Sequence, residues 1–285
     1  MAFKSGIIFI TIVLGCLAIP TPPEYDDMSI FFDQEDFDDS SDARIVGGTE
    51  AANGAHPHMV ALTSGTILRS FQCGGSVLSQ RTVLTAAHCI AAFFSFGSLS
   101  SSLRVTVGTN RWNQGGQTLS LSGNATHQHY VSGTIKNDIG MLFTASNIVF
   151  NNLVSPISLS FDFVPGNVQA RAAGWGRTSA NAAIPASLLE VQLPTIDGQQ
   201  CVRDAALASV TLNIRAPPVE PHIELCTFHS PGRGTCRGDS GSALVRIDRG
   251  TQIGIVSWGF PCALGAPDVF VRVSAFQSWI NQHLR

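Results

Sequence analysis

Glycine punctuates this sequence, and that punctuation limits what the chain can fold into. The 285 residues hold 27 glycines and 14 prolines. Between them lie short runs that read as strands. Gly74 and Gly75 precede Ser76-Val77-Leu78, and Thr82-Val83-Leu84-Thr85-Ala86 is a brief β-prone run. Val168 to Ala173 leads into Gly174-Trp175-Gly176, and Thr251 to Trp258 alternates as a half-buried strand does. One clear helix is expected, at the end: Ser274-x-x-Gln277 is a capping box, with Phe276, Trp279, Ile280 and Leu284 on one face. Short strands, frequent turns and a C-terminal helix indicate an all-β chain of one large or two small domains.

The amino terminus is of a different character. Met1 to Ala18 carries Lys4, an apolar run from Gly6 to Leu17 and a small-residue end at Cys16-x-Ala18. It reads as a secretory signal too short to span a membrane, and no later stretch qualifies as a span. Nine acidic residues crowd positions 24 to 42, so residues 19–44 are too polar to build a core. They read as a solvated linker or as a removable propeptide ending at Arg44. From Ile45 onward, 14 arginines and one lysine, Lys136, face 11 acidic residues, a balance of +4. Arginine holds its charge at pH values where lysine loses it, so this bias fits an alkaline working medium or a compositional habit of the lineage. The basic residues are scattered, which argues against a nucleic-acid partner.

Chemistry concentrates in Gly238-Asp239-Ser240-Gly241. Glycines on both sides let the backbone around Ser240 approach a substrate carbonyl, and the N–H groups of Gly238 and Ser240 can point at one developing oxyanion. A serine hydroxyl is a weak nucleophile until a base takes its proton, and the base needs an orienting acceptor. His88, in Leu84-Thr85-Ala86-Ala87-His88-Cys89, is the candidate base. Asp138, in Asn137-Asp138-Ile139-Gly140-Met141-Leu142, is the candidate orienter. It ends a run from Ala51 to Asn137 with no aspartate or glutamate, which marks it further.

On these residues, and on their chain order His, Asp, Ser, the segment from Ile45-Val46-Gly47-Gly48 to the end resembles the secreted chymotrypsin-like serine peptidases. The resemblance covers 241 of the 285 residues. It implies two six-stranded antiparallel β-barrels, with His88 and Asp138 from the first and Ser240 from the second. It implies cleavage of the propeptide after Arg44 by a trypsin-like peptidase, so that the new ammonium of Ile45 pairs with Asp239. The six cysteines after Cys16 suit an oxidising compartment and allow 15 pairings; the resemblance selects Cys73–Cys89, Cys201–Cys226 and Cys236–Cys262. It places Gly234 and Thr235 at the base of the primary specificity pocket, with Ser257, Trp258 and Gly259 along substrate. Two departures concern loop stiffness: Ser242-Ala243 stands for the usual Gly-Pro, and Gly140 for a common alanine.

Gly234 excludes strict trypsin specificity, which needs an aspartate there. Asp268, in place of a usual glycine on the opposite wall, makes the pocket similar to those of broad-specificity collagenolytic peptidases of invertebrates. The expectation is cleavage mainly after large apolar residues, with a minor component after Arg or Lys, in a secreted digestive endopeptidase. A regulatory cascade peptidase and a catalytically dead binding homologue are the alternatives. Substrate proteins or peptides, an activating peptidase and protein inhibitors are the expected partners. No cofactor or metal is expected: the acid-free run lacks carboxylates for a calcium loop, and His56-x-His58 and His127-x-His129 lack a third ligand nearby. Asn124-Ala125-Thr126 is a glycosylation sequon. Phe93, Phe94 and Phe96 either fold back onto the barrel or form a rim beside His88.

Overall fold

A computed structural model describes residues 45–285. The expected signal and propeptide, Arg44 included, lie outside the described residues. Strands run through the chain in order: β1 (Thr49–Glu50), β2 (Met59–Ser64), β3 (Ser70–Val77), β4 (Thr82–Thr85), β5 (Phe94–Ser95), β6 (Ser98–Leu99), β7 (Arg104–Val107), β8 (Gln117–Leu119), β9 (Leu121–Thr126) and β10 (Gly140–Thr144). Six more follow: β11 (Gln169–Gly174), β12 (Leu189–Ile196), β13 (Glu224–Thr227), β14 (Ala243–Arg246), β15 (Thr251–Gly259) and β16 (Asp268–Arg272).

The second half closes on itself. Its ladder runs β12-β11-β14-β15-β16-β13, and β13 pairs back onto β12 through Thr195↔Thr227 and Ile196↔Cys226. That is a six-stranded antiparallel barrel, closed and therefore without a free edge. The first half runs β8-β7-β2-β3-β4-β10-β9. Only Ser120 separates β8 from β9, so the two behave as one bent strand whose halves pair with β7 and with β10. The ends of that sheet are joined by the chain itself rather than by a further ladder. β1 crosses over and pairs with β12 of the second barrel.

Alternation explains why these segments became strands. In β12, Leu189, Val191, Leu193 and Thr195 point inward while the residues between them do not. The first core gathers Val60, Leu62, Val83, Leu84, Val105, Met141 and Leu142, and also Phe276, Trp279 and Ile280 from the far end of the chain. The second gathers Ile45, Ala172, Leu193, Leu225, Leu244, Ile253 and Phe270. Each such large aliphatic side chain contributes about 1.5–3 kcal/mol. The disulfides Cys73–Cys89, Cys201–Cys226 and Cys236–Cys262 contribute about 3 kcal/mol each by loop-closure entropy, so the cores hold the fold and the disulfides fix its loops.

Helices depart from expectation in two ways. α1 (Ala87–Ala91) is a single turn carrying His88, but α2 (Gly198–Thr211) is the longest helix described and shows little periodicity in the sequence. The side chain of Asp197 caps it, accepting from the N–H groups of Gln199 and Gln200 at 2.9 and 3.1 Å. Its buried face is only Cys201, Ala205 and Ala208, small residues that leave almost no amphipathic signature. At the carboxyl end, α3 (Gln277–His283) is present, but Ser274 does not cap it. Ser274 lies in a 3-10 turn, Val273–Phe276, and Phe276 precedes α3 with no side-chain cap. The sequon residue Asn124 sits half-buried within β9, paired with Leu142, rather than in a loop.

Gly140, where an alanine is common, faces Ile90: a Cβ on Gly140 would lie 2.5 Å from Ile90 Cδ1 and 3.2 Å from the carbonyl oxygen of Ala125. Gly140→Ala is therefore expected to destabilise by about 1–2 kcal/mol through overpacking. Adding Ile90→Val removes the clashing methyl, and the double variant should lose less than the sum of the singles by at least about 0.5 kcal/mol. Denaturant midpoints of the four proteins measure that coupling.

Candidate active site

His88 is the second residue of α1, and Asp138 lies in the loop just before β10. The backbone N–H of His88 donates to Asp138 Oδ1 at 2.8 Å, and His88 Nδ1 lies 2.8 Å from Asp138 Oδ2. A carboxylate accepts, so Nδ1 carries the proton and Nε2 is the basic atom of the ring. The hydroxyl of Ser257, from the second barrel, donates to the same Oδ2 at 2.6 Å. Asp138 is 1% exposed, and three donors around one buried carboxylate satisfy its lone pairs.

Ser240 stands in the turn between Gly238 and β14. Gly241 has φ +82°, and a Cβ there would strike Thr85 Oγ1, the carbonyl of Gly74 and the amide of Ala86. Only glycine lets this turn press against β4, which ends three residues before His88. The Gly74 N–H donates to the Ser240 carbonyl at 2.8 Å, and Cys73 next to it is disulfide-bonded to Cys89 next to His88. Gly238, with φ +98°, takes another backbone conformation that favours glycine.

Asp239 points away from Ser240 into the protein. Its Oδ1 accepts from Gly176 N–H at 2.8 Å and its Oδ2 from Cys236 N–H at 3.0 Å. A Cβ on Gly174 or Gly176 would collide with this carboxylate, which is why Gly174-Trp175-Gly176 has that composition. Burial pushes the Asp239 carboxyl up to about 6, against the pull of those two N–H groups. Ile45 is fully buried in the second core. The Val46 carbonyl accepts from the N–H of Gly234 at 3.2 Å, so the residues after Arg44 run beside Gly234.

A cavity opens beside Ser240, lined also by Thr235, Cys236, Arg237, Val256, Ser257, Trp258, Gly259, Phe260, Pro261, Cys262 and Asp268. Asp268 is the first residue of β16, opposite Gly259 and Thr227 in the ladders. Its Oδ2 accepts from Thr235 N–H at 2.8 Å. A Cβ on Gly234 would lie 2.7 Å from that oxygen, and one on Gly259 3.4 Å from Oδ1. The carboxylate thus fills the space that the two glycines leave at the pocket base. Burial pushes it up to about 7; the hydrogen bonds from Thr235 oppose that rise and the charge of Asp239 adds to it.

Other residues singled out in the sequence fall outside this cavity. Phe93 packs on the first core, while Phe94 and Phe96 stand exposed on the β5–β6 hairpin. His56 pairs with Glu190 at 2.5 Å, and burial lowers His58 to about 3, the neighbouring His56 adding to the effect. Sequence reasoning missed Lys136 and Glu224, which form a buried ion pair behind Trp258. Among the described residues no helix is long and apolar enough to cross a membrane.

Two antiparallel barrels meeting at a cleft, with a carboxylate-held histidine on one and a glycine-flanked serine on the other, have the architecture of a serine endopeptidase. The sequence model described as Trypsin matches residues 45–280, and the chain belongs to that family. It is 34% identical over 241 residues to "Chymotrypsin-2" of Vespa crabro, across 84% of this chain and 99% of that protein. It is 33% identical to "Trypsin alpha-4" of Lucilia cuprina, across 84% and 87%, and 32% identical to "Trypsin delta" of Drosophila erecta, across 84% and 88%. The protein is therefore a serine endopeptidase, acting on proteins or peptides. The relatives' names divide between chymotrypsin and trypsin, so what is cut must be argued from this chain's own pocket.

One residue of the loop that carries Ser240 has an avoidable cost. Ser242 is fully buried, and its Oγ has no hydrogen-bond partner among the described residues. Ser242→Ala keeps the Cβ and removes the orphan hydroxyl, so it should raise stability by about 1 kcal/mol with kcat/KM unchanged. Thermal unfolding of the two proteins checks this.

Proposed function

We propose that the enzyme is secreted as an inactive precursor and, once cut after Arg44, cleaves mainly after large apolar residues, with a minor activity after Arg and Lys. In this reading the Oγ of Ser240 attacks the scissile carbonyl carbon while Nε2 of His88 takes its proton. Asp138 holds the tautomer and stabilises the imidazolium. The N–H groups of Gly238 and Ser240 receive the oxyanion. The C–N bond then breaks, His88 protonates the leaving amine, and water hydrolyses the acyl-Ser240 ester by the reverse sequence of proton transfers. An intact triad favours this over a binding homologue without activity. A digestive role fits a peptidase with a broad pocket, and protein inhibitors that mimic an extended substrate are its natural partners.

Activation follows from Asp239. In the uncut chain this carboxylate is buried with N–H donors but no cation among the described residues, and its raised pKa records the cost. Cutting at Arg44–Ile45, by a trypsin-like peptidase, creates an ammonium at a residue already buried in the second barrel. Pairing the two offsets the desolvation of both. Val46 touches Gly234 directly, so this pairing has a short path to the pocket base.

Asp268 facing Gly234 is the observation that carries the specificity reading. Protonated, it leaves a neutral pocket suited to Phe, Tyr, Leu or Met. Ionised, it offers a counter-charge to Arg or Lys. Its value of about 7 puts the change inside the working range, and the sign is fixed: the ionised fraction grows as pH rises. The ratio of kcat/KM for an Arg substrate to that for the matching Phe substrate should therefore climb from pH 5 to pH 9. Ionisations that act on both substrates alike cancel in the ratio. Asp268→Gly should abolish the basic component and keep or improve cleavage after Phe. Absence of Arg cleavage at every pH would contradict the reading.

A further inference from the structure

Lys136 is the only lysine from Ile45 to the end of the chain, and it is buried. It is 5% exposed, and its Nζ lies 2.7 Å from Oε1 of Glu224, itself 4% exposed. Lysine is a strongly hydrated cation, and removing it from water with a carboxylate is seldom a net source of stability. The other 14 Lys and Arg cations from Ile45 onward are arginines, so the one compact ammonium of this region stands in a buried ion pair. Its location suggests why. Lys136 stands two residues before Asp138, in a loop of the first barrel, whereas Glu224 begins β13 of the second.

The pair does not stop at two residues. The indole N–H of Trp258 donates to the same Oε1 of Glu224 at 2.9 Å, and Lys136 Nζ lies 5.3 Å from the Trp258 ring centroid. The second oxygen of Glu224 accepts from the N–H of Glu220 at 2.6 Å. Trp258 lies between Ser257 and Gly259, and all three line the cavity beside Ser240. Ile135 packs in the same apolar cluster as Trp258.

Strain marks the same spot independently. Ile135 has φ +49° and Asn137 φ +53°, so Lys136 is flanked by two residues in the left-handed region. For a β-branched isoleucine that conformation is an outlier. It persists only where the surroundings over-determine it, and such sites cluster where geometry serves function. The backbone of Lys136 is itself tied to Val131, by N–H and carbonyl contacts at 3.2 and 3.0 Å.

We propose that Lys136 and Glu224 are positioning residues: an inter-barrel strut that holds Trp258, backed by the buried cluster that includes Ile135, in the wall of the cleft, and so governs how a substrate is gripped beyond its first residue. The inference rests on the reading of Trp258 as a substrate-facing residue. It is separate from the pocket chemistry of Asp268, which selects the first residue.

The test compares two substrates on activated enzyme: a single-residue ester that reaches only the primary pocket, and a tetrapeptide amide ending in the same residue. Active-site titration normalises each preparation, so a misfolded fraction cannot move the ratio of the two kcat/KM values. Lys136→Met should lower that ratio at least tenfold, mainly through KM of the tetrapeptide. Because it leaves Glu224 buried and unpaired, the double variant Lys136→Met/Glu224→Gln, which removes both charges, decides the matter if the single variant fails to fold. Its ratio should also fall. Lys136→Arg, which keeps the charge, should restore part of it. A ratio unchanged in the foldable variants would overturn the proposal. Trp258→Ala separates the two levels of the argument. If it lowers the ratio while the strut variants do not, the strut alone is wrong. If it does not, the substrate-facing reading of Trp258 is wrong and the proposal falls with it.

Discussion

A carboxylate taken out of water loses several kcal/mol of solvation unless protein groups replace its hydration shell. This chain does so four times around one cleft. Asp138, Asp239, Glu224 and Asp268 are 1, 1, 4 and 6% exposed, against 11 acidic residues in all from Ile45 onward. Each is compensated differently. His88 and Ser257 serve Asp138, two backbone N–H groups serve Asp239, Lys136 and Trp258 serve Glu224, and Thr235 serves Asp268. The glycines at 174, 176 and 234 exist where a side chain would occupy the space of a carboxylate.

These four sites grade from fixed to adjustable. Asp138 has donors on both oxygens and serves one purpose, holding His88. Glu224 carries a full counter-charge; burial still raises its pKa, against the pull of Lys136. Asp239 and Asp268 have N–H and hydroxyl donors without a cation among the described residues, and both sit well above the ordinary aspartate range. An incompletely compensated charge is responsive. On the proposed reading, Asp239 would respond to the ammonium that a cut at Arg44–Ile45 creates, and Asp268 to pH and to the charge of the substrate side chain.

Much of this was legible in the residues. Gly238-Asp239-Ser240-Gly241 announced a glycine-flanked hydroxyl whose backbone can approach a substrate, and the acid-free run from Ala51 to Asn137 isolated Asp138. The alternation from Thr251 to Trp258 announced a strand of the second barrel, β15. What stayed hidden had physical causes. α2 buries only cysteine and alanine, so the helical period left no trace. The Ser274 capping box was a sequence coincidence, because Ser274 already belongs to a 3-10 turn. Lys136 and Glu224 lie 88 residues apart in different barrels, and no local pattern announces such a pair. The pocket was half-visible: Asp268 could be read as lying on its wall, but only the ladder opposite Gly259 places its carboxylate against Gly234.

The account makes Ser240 the nucleophile of a site that is assembled by cutting after Arg44. The most direct measurement is covalent labelling with an organophosphonate, on the secreted precursor and on the same protein after limited trypsin treatment, with the labelled peptide and the new amino terminus sequenced. The account predicts little label before cutting. Afterwards it predicts stoichiometric label on Ser240 alone, with Ile45 as the new first residue. Equal labelling of the uncut precursor would contradict the activation, and label on any other residue would contradict the assignment of Ser240.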